Sequence, residues 1–309
     1  MLHPAPRERG GAEVNTPGVR SPTVRRRELG ALLKQLRTQR GWTAEQVGGW
    51  LRFSPSKMSR LETGHRGANA RDINDLCDLY GVDDEQRRRL LGLASEGKQR
   101  AWWQPLSLPY STYVGLESEA VSISDFGLGF IPGLLQTVDY AHAIVRAVSP
   151  EMVPEVVEQR VQARLARQKL LEQENGPQFD AVVDESVLHR TVGSRAVMRE
   201  QLERLLELSE RPKVTLRVIP YGAGALPAGN NKFIILSFAS AEVKDVVFIE
   251  GLTRELYLDD PDEVETYHTT FRTLVQLAAS ADKTRTIIAA MIPSYSHPPR
   301  LRQTELPLA

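Results

Sequence analysis

The chain has 309 residues, 41% of them hydrophobic, which predicts about two domains of ordinary size that each bury a core. A single cysteine excludes a disulfide framework. No apolar run approaches the roughly 18 residues of a membrane helix, and the N-terminus lacks the apolar stretch of a secretion signal. We therefore expect a cytoplasmic protein that does not enter the membrane. The net charge of zero hides an asymmetry, because residues 1–100 carry 19 basic and 12 acidic side chains and the rest of the chain carries the matching acidic excess.

The asymmetry assigns different partners to the two parts of the chain. Attraction to phosphate supplies most of the non-specific affinity of proteins for DNA. We therefore expect residues 25–100 to face nucleic acid and the acidic remainder to face another partner.

Residues 1–24 are rich in proline and glycine and predict a disordered leader. The basic residues Arg20 and Arg25 to Arg27 leave open a second interpretation, an arm that grips DNA. After the leader, residues 25–100 predict an all-α domain of five helices. Its opening helix covers residues 28–40, and its last two cover residues 69–80 and 84–95, each with an apolar stripe at helical spacing. Cys77 lies on such a stripe and is predicted to pack in the core.

Two short helices between residues 41 and 64 predict a helix-turn-helix motif. Thr43 followed by Gln46 forms the pattern of a capping box at the start of the first. Ser54 is placed to cap the second helix, Pro55 is its first residue, and Gly64 closes it.

This segment resembles the phage-repressor-like, or XRE, family of DNA-binding domains, with Ala44 replacing a glutamine that often contacts the DNA backbone there. The matching positions are Gly41, Thr43, Glu45, Leu51, Ser54, Ser59, Arg60, Glu62 and Gly64. The resemblance implies that the second helix enters the major groove. The residues it places at DNA are Thr43, Ser54, Pro55, Ser56, Lys57 and Arg60.

Among these residues, Arg60 is the best candidate for reading a base, because its guanidinium can bond two acceptors of a guanine. A phosphate contact or a partner within the helix stays open for Arg60. Lys57 is interpreted as a phosphate contact.

Residues 101–292 predict a second domain of the α+β class, and residues 293–309 predict a polar tail. Helical patterns cover residues 132–148, 154–171, 200–208 and 261–279. Strand patterns cover residues 179–183, 214–219, 233–238 and 246–249. The last three strands are separated by loops too short for helices, so we expect a mostly antiparallel sheet.

The second domain carries strings that resemble the C-terminal domain attached to XRE-type heads in a large family of actinomycete regulators. The strings are residues 130–137, 139–141, 160–168 and 184–190. The resemblance implies an antitoxin-like regulator that pairs with a small partner protein. Polar positions that are candidates to line a partner or ligand site are Gln136, Arg164, Arg167, Asp184, Glu185 and Glu250.

No catalytic, cofactor or metal pattern can be assembled from the sequence, and we expect no enzyme activity. The segment 127–129, Gly-Leu-Gly, lacks the third spaced glycine and the preceding strand of a dinucleotide-binding fingerprint. The six histidines have no metal-ligand spacing among themselves or with Cys77. His142, His189 and His268 are interpreted as helix-face residues.

Three functions compete on the sequence. The first is a transcriptional regulator whose second domain binds a small protein, the next is a regulator whose second domain senses a small molecule, and the third is an enzyme with a helix-turn-helix head. A repressor-like head gains specificity by binding two half-sites about 34 Å apart, so we also expect a homodimer held by the second domain.

Overall fold

The computed structural model describes residues 21–104, 108, 110–229 and 231–296. The chain divides into two compact units, Met1–Glu119 and Ala120–Ala309. Among the described residues, no helix combines the length and the apolar character needed to cross a membrane.

The first unit is built from helices in the part of it that the structure describes. They are α1 (Pro22–Gln39), α2 (Ala44–Leu51), α3 (Pro55–Glu62), α4 (Ala70–Tyr80), α5 (Asp84–Glu96) and α6 (Ser111–Glu117). Side chains at helical spacing from α1 to α5 share one core, in which Leu33, Val47, Met58, Ile73 and Cys77 are fully buried. The predicted packing role of Cys77 agrees with this position.

Helix α1 begins six residues before the predicted start, at Pro22. Proline suits the first helical position, because its fixed φ angle matches the helix and it has no N–H to leave unpaired. The predicted leader is therefore wrong for residues 21–24. Its other residues, 1–20, lie outside the described part of the chain.

The first turns of α1 pack against the segment that contains α6. The Ser21 hydroxyl donates to the carbonyl oxygen of Gly115 at 2.6 Å, and a methyl group on Gly115 would lie only 2.3 Å from the Thr23 hydroxyl oxygen. Arg25 is buried between the carboxylates of Glu28 and Glu119. Arg25 is thus engaged within the first unit, and α6 lies in this unit although the sequence assigned residues 101–119 to the second domain.

The second unit combines a six-stranded sheet with helices. The strands are β1 (Ser122–Gly127), β2 (Gln178–Asp184), β3 (Val214–Ile219), β4 (Phe233–Ser237), β5 (Val246–Glu250) and β6 (Glu255–Leu258). The helices are α7 (Val138–Val148), α8 (Pro154–Gln168), α9 (Ser186–His189), α10 (Arg195–Leu208), α11 (Pro261–Leu277) and α12 (Ala281–Ser296).

The sheet is mixed, so the prediction of a mostly antiparallel sheet is wrong. The strand order is β3-β2-β1-β4-β5-β6. Strands β1, β2 and β3 are parallel neighbours, whereas β4 pairs antiparallel with β1, and β5 and β6 continue antiparallel beyond it. The prediction overlooked β1, which α7 and α8 connect to β2, while α9 and α10 connect β2 to β3; both connections are long enough for parallel crossovers.

Helix α11 covers one face of the sheet, where Phe271 and Leu274 join an apolar cluster with Phe126, Val182 and Ile235. After α11, the chain contacts the edge strand β3, where the Val218 N–H donates to the Thr284 hydroxyl at 3.1 Å. Helix α12 then continues to residue 296. The predicted polar tail is therefore wrong for residues 293–296, and residues 297–309 lie outside the described part.

Candidate nucleic-acid interface and sheet-edge cluster

The turn between α2 and α3 has the local geometry that the sequence predicts. The Gln46 N–H donates to the Thr43 hydroxyl at 3.1 Å, and the Thr43 N–H donates to the Gln46 side-chain oxygen at 2.8 Å, which forms a capping box. Helix α2 ends at Arg52 in a left-handed conformation with φ of 55°. Ser54 then accepts the Lys57 N–H at 3.2 Å and caps α3. The left-handed Arg52 and the cap at Ser54 therefore define the turn between the two helices.

Helix α3 is fixed to α1 by a buried ion pair and a close backbone approach. The Arg37 guanidinium donates to both carboxylate oxygens of Glu62, at 2.6 and 2.8 Å, and this pairing raises the pKa of Arg37. Both side chains are nearly buried. At Gly30 of α1, a methyl group would lie 2.5 Å from the carbonyl oxygen of Glu62. The position of α3 is thus set by α1 as well as by the turn.

The outward face of α3 presents Pro55, Ser56, Ser59 and Arg60, all exposed. The Arg60 Nε–H donates to the Ser56 carbonyl oxygen at 3.1 Å, which holds the guanidinium along the helix surface. An arginine and a serine hydroxyl thus share one exposed helical face, the arrangement needed to approach the edges of bases.

Lys57 occupies a different environment from Arg60. Its ammonium lies 2.7 Å from a carboxylate oxygen of Asp72 on α4 and 3.4 Å from the ring centroid of Phe53. The side chain is only 20% exposed. Lys57 therefore joins α3 to α4, and contact with a phosphate requires it to leave Asp72.

One basic residue beside this face was not singled out by the sequence. Arg66 is exposed in the loop after α3, where its N–H donates to the Arg60 carbonyl oxygen at 3.1 Å. The left-handed Gly64, with φ of 70°, turns the chain back toward α3. A basic residue two positions after the helix-closing Gly64 was the available signal.

In the second unit, strand directions bring three predicted carboxylates to one edge of the sheet, which we call the carboxyl edge. Strands β1, β2, β3 and β5 end there, and β4 and β6 begin there. Asp184 ends β2, Glu185 follows it, and Glu250 ends β5. Asp184 accepts the Ser186 N–H at 2.9 Å, and Glu185 accepts the Tyr221 N–H at 2.8 Å, so both carboxylates hold the loops of this edge.

Gln136 belongs to a buried hydrogen-bond network that shapes the connection after β1. Its amide group donates to the Ile131 carbonyl oxygen at 2.7 Å, and its side-chain oxygen accepts from Arg164 at 2.6 Å. Tyr140 accepts the Ile131 N–H, and burial raises the pKa of Tyr140 to about 12. Gln168 donates to the carbonyl oxygen of Gln136 at 2.8 Å. The distinctive string at residues 130–137 is thus largely structural.

Arg164 and Arg167 lie side by side on α8 next to the turn at Gly133. A methyl group on Gly133 would lie 3.8 Å from Arg164 Nε and 4.0 Å from an Arg167 terminal nitrogen. Arg167 is buried. Burial alone would raise the pKa of Glu250, but Lys232, at 2.7 Å, and the charges of Arg164 and Arg167 lower it below its usual range. The fold therefore brings Gln136, both arginines and Glu250 into one cluster.

A serine, an aspartate and a histidine also meet in the second unit. Ser237 donates to an Asp245 carboxylate oxygen at 2.6 Å, and His268 Nε2 lies 3.0 Å from the same oxygen. The serine and histidine contact the aspartate and are not shown to contact each other, whereas a nucleophile needs its base within hydrogen-bond reach. Within the described residues, no group of three potential ligands is arranged to hold a metal ion.

Comparison with known families divides the chain in a similar way. A family model described as "Helix-turn-helix domain" matches residues 28–90, which confirms the predicted motif. A second, described as "Domain of unknown function (DUF5753)", matches residues 110–290. No curated protein and no solved structure matches the chain.

Proposed function

The chain belongs to the family of the domain of unknown function DUF5753 and has a helix-turn-helix domain in front of it; from this premise we propose that it is a sequence-specific transcriptional regulator of the XRE type that works in the cytoplasm. The observation that carries the proposal is the exposed face of α3 with Ser56 and Arg60, on a helix whose start is capped and whose end is tied to α1.

In this proposal α3 lies in the major groove. Arg60 releases its hold on Ser56 and donates to the two acceptors of a guanine, while Ser56 bonds a neighbouring base edge and Pro55 supplies apolar contact. The N-terminal turn of α2, at Thr43, faces the phosphate backbone with its partial positive charge. Arg66 adds a phosphate contact beside the groove.

The test separates base reading from phosphate attraction. Operator fragments are first captured from genomic DNA with the full chain, and anisotropy titrations then compare an operator with a random duplex. Arg60→Ala should weaken operator binding by about 1–3 kcal/mol and change the random duplex much less. Arg88→Ala, which removes one exposed charge from α5, is the matched control. Equal losses on both duplexes for Arg60→Ala would remove Arg60 as a base reader.

Lys57 is tested by the salt dependence of binding. If Lys57 exchanges Asp72 for a phosphate, Lys57→Ala weakens binding to both duplexes alike and reduces the salt slope by about one unit. An unchanged slope would limit Lys57 to its structural contact between α3 and α4.

The proposal includes a homodimer that places two heads on half-sites about 34 Å apart. We expect the second unit to hold the dimer. Light scattering of the full chain at micromolar concentration is the measurement, and a monomer both with and without operator DNA would contradict the dimer.

For the second unit we propose binding and not catalysis, with a small protein as the antitoxin-like partner. The acidic excess of this part of the chain supports a partner other than DNA. Purification of the tagged full chain from its native extract should retain a small protein in a fixed ratio. Loss of that protein at moderate salt, or its retention by unrelated baits, would contradict the assignment.

A further inference from the structure

We propose that the second unit binds a small anion, with a phosphate or carboxylate group, between Arg164 and Arg167 of α8 and the loop that follows β1. The bound anion would be the signal that regulates the protein. Anion binding can be measured without DNA, so its outcome is independent of how α3 reads DNA.

The arrangement of the arginines is the first support. Arg164 is held in place by Gln136, and the adjacent Gly133 brings its backbone close to both guanidinium groups without a side chain in between. Guanidinium groups bind phosphate and carboxylate oxygens through parallel N–H donors in a fixed geometry. Arg164 is held by Gln136 and Arg167 is buried, so both side chains lose little conformational freedom on binding.

The topology gives independent support. From β1 the chain moves to β2 and then β3 on one side, while β4 lies on the other side of β1, so the strand order reverses at β1. In open, mostly parallel α/β sheets, ligands bind outside the carboxyl ends of the strands at such a reversal, and the carboxyl ends of the parallel strands β1, β2 and β3 lie at this edge. The segment at this point includes Gly127 and the left-handed Gly129, with φ of 77°.

The local charge favours an anion. Lys232 lies 2.7 Å from the Glu250 carboxylate, and the charges of Arg164 and Arg167 also lower the pKa of Glu250. The surrounding unit is acidic overall, since residues 120–309 carry 20 basic and 25 acidic side chains. The net charge of this unit therefore does not attract anions. Binding of an anion depends on the local cluster of cationic side chains. A bound anion would compete with Glu250 for these cations.

The experiment is isothermal titration calorimetry on the full chain, with inorganic phosphate and succinate as probes. The structure predicts binding of at least one probe and weakening by about tenfold or more in Arg167→Gln or Arg164→Gln, because each removes a charged hydrogen-bond donor. Arg272→Gln, an exposed residue of α11, is the matched control and should leave the affinity unchanged. The probe that binds identifies the anion class.

A second variant protects the test against misfolding. Glu250→Gln removes the competing carboxylate and should tighten binding of the probe by about threefold, a gain that a damaged fold cannot produce. Absence of heat with both probes at millimolar concentration would overturn the proposal. So would an unchanged affinity in the α8 variants, or equal effects in Arg272→Gln.

Discussion

Substitution of Gly30 by alanine tests how closely α3 is bound to α1. A methyl group at this position would lie 2.5 Å from the Glu62 carbonyl oxygen and 2.6 Å from that of Leu61. Carbon atoms prefer non-bonded separations of 3.5–4.0 Å, so the end of α3 must move by roughly 1 Å. The obstacle is backbone, which cannot rotate away as a side chain can.

The magnitude follows from a comparison with Gly92 in α5, where no atom lies within 4 Å of the added methyl group. Alanine is favoured over glycine in a helix by about 1 kcal/mol, so Gly92→Ala should raise the free energy of unfolding by that amount. Gly30→Ala gains the same helix preference but suffers overpacking of about 1–3 kcal/mol. The difference between the two variants should therefore be about 1–3 kcal/mol.

Urea unfolding followed by tryptophan fluorescence is the appropriate assay, because all four tryptophans lie in the first unit. Operator binding is measured on the same samples. Gly30→Ala should bind more weakly than Gly92→Ala, since the movement of α3 displaces Arg60. If the two variants are equally stable and bind operator equally, the close approach does not position α3.

Three further changes test single contacts. Gln201→Leu should destabilise the second unit by about 2 kcal/mol in circular dichroism, because the buried Thr137 N–H loses its acceptor at 2.7 Å. Burial raises the pKa of Asp245, but hydrogen bonds, first from His268, lower it below 3.8, so its contribution to stability is present above that pH and is lost as the pH falls through the folded pKa. The stability difference between His268→Asn and the original chain should accordingly be present at pH 5 and shrink as the pH falls through the folded pKa of Asp245. Thr43→Val should cost the first unit about 1 kcal/mol through loss of the cap, whereas Thr43→Ser should not.

The helices of the first unit are predictable because their signals act over a few residues. Thr43, Ser54 and Asn69 each cap a helix through an N–H only three positions away. Lys57 shows where this reasoning stops. Its partner Asp72 lies 15 residues further along the chain, and only the packing of α4 against the rest of the unit brings the two together.

The second unit depends more on distant pairing, and the sequence predicts less of it. Strand β1 is polar at Ser122, Ser124 and Asp125, so the sequence pattern does not mark it as a central strand, although Asp125 is buried there. Without β1, its parallel pairing with β2 and its antiparallel pairing with β4 cannot be inferred. The polar residues Arg164 and Glu250 could be selected as candidates, but their proximity depends on the strand order and on the packing of α8, which the sequence does not show.

The packing of α6 against the first turns of α1 has a consequence for how such regulators can exchange parts. The DUF5753 match begins at residue 110, whereas the first unit ends at Glu119. A recombination event or a designed chimaera that joins a foreign second domain at residue 110 would replace Gly115 and expose Thr23 and Arg25 to a surface that did not evolve with them. A junction after Glu119 preserves these contacts. The segment that must be transferred together to keep the first unit intact is therefore longer than its helix-turn-helix motif.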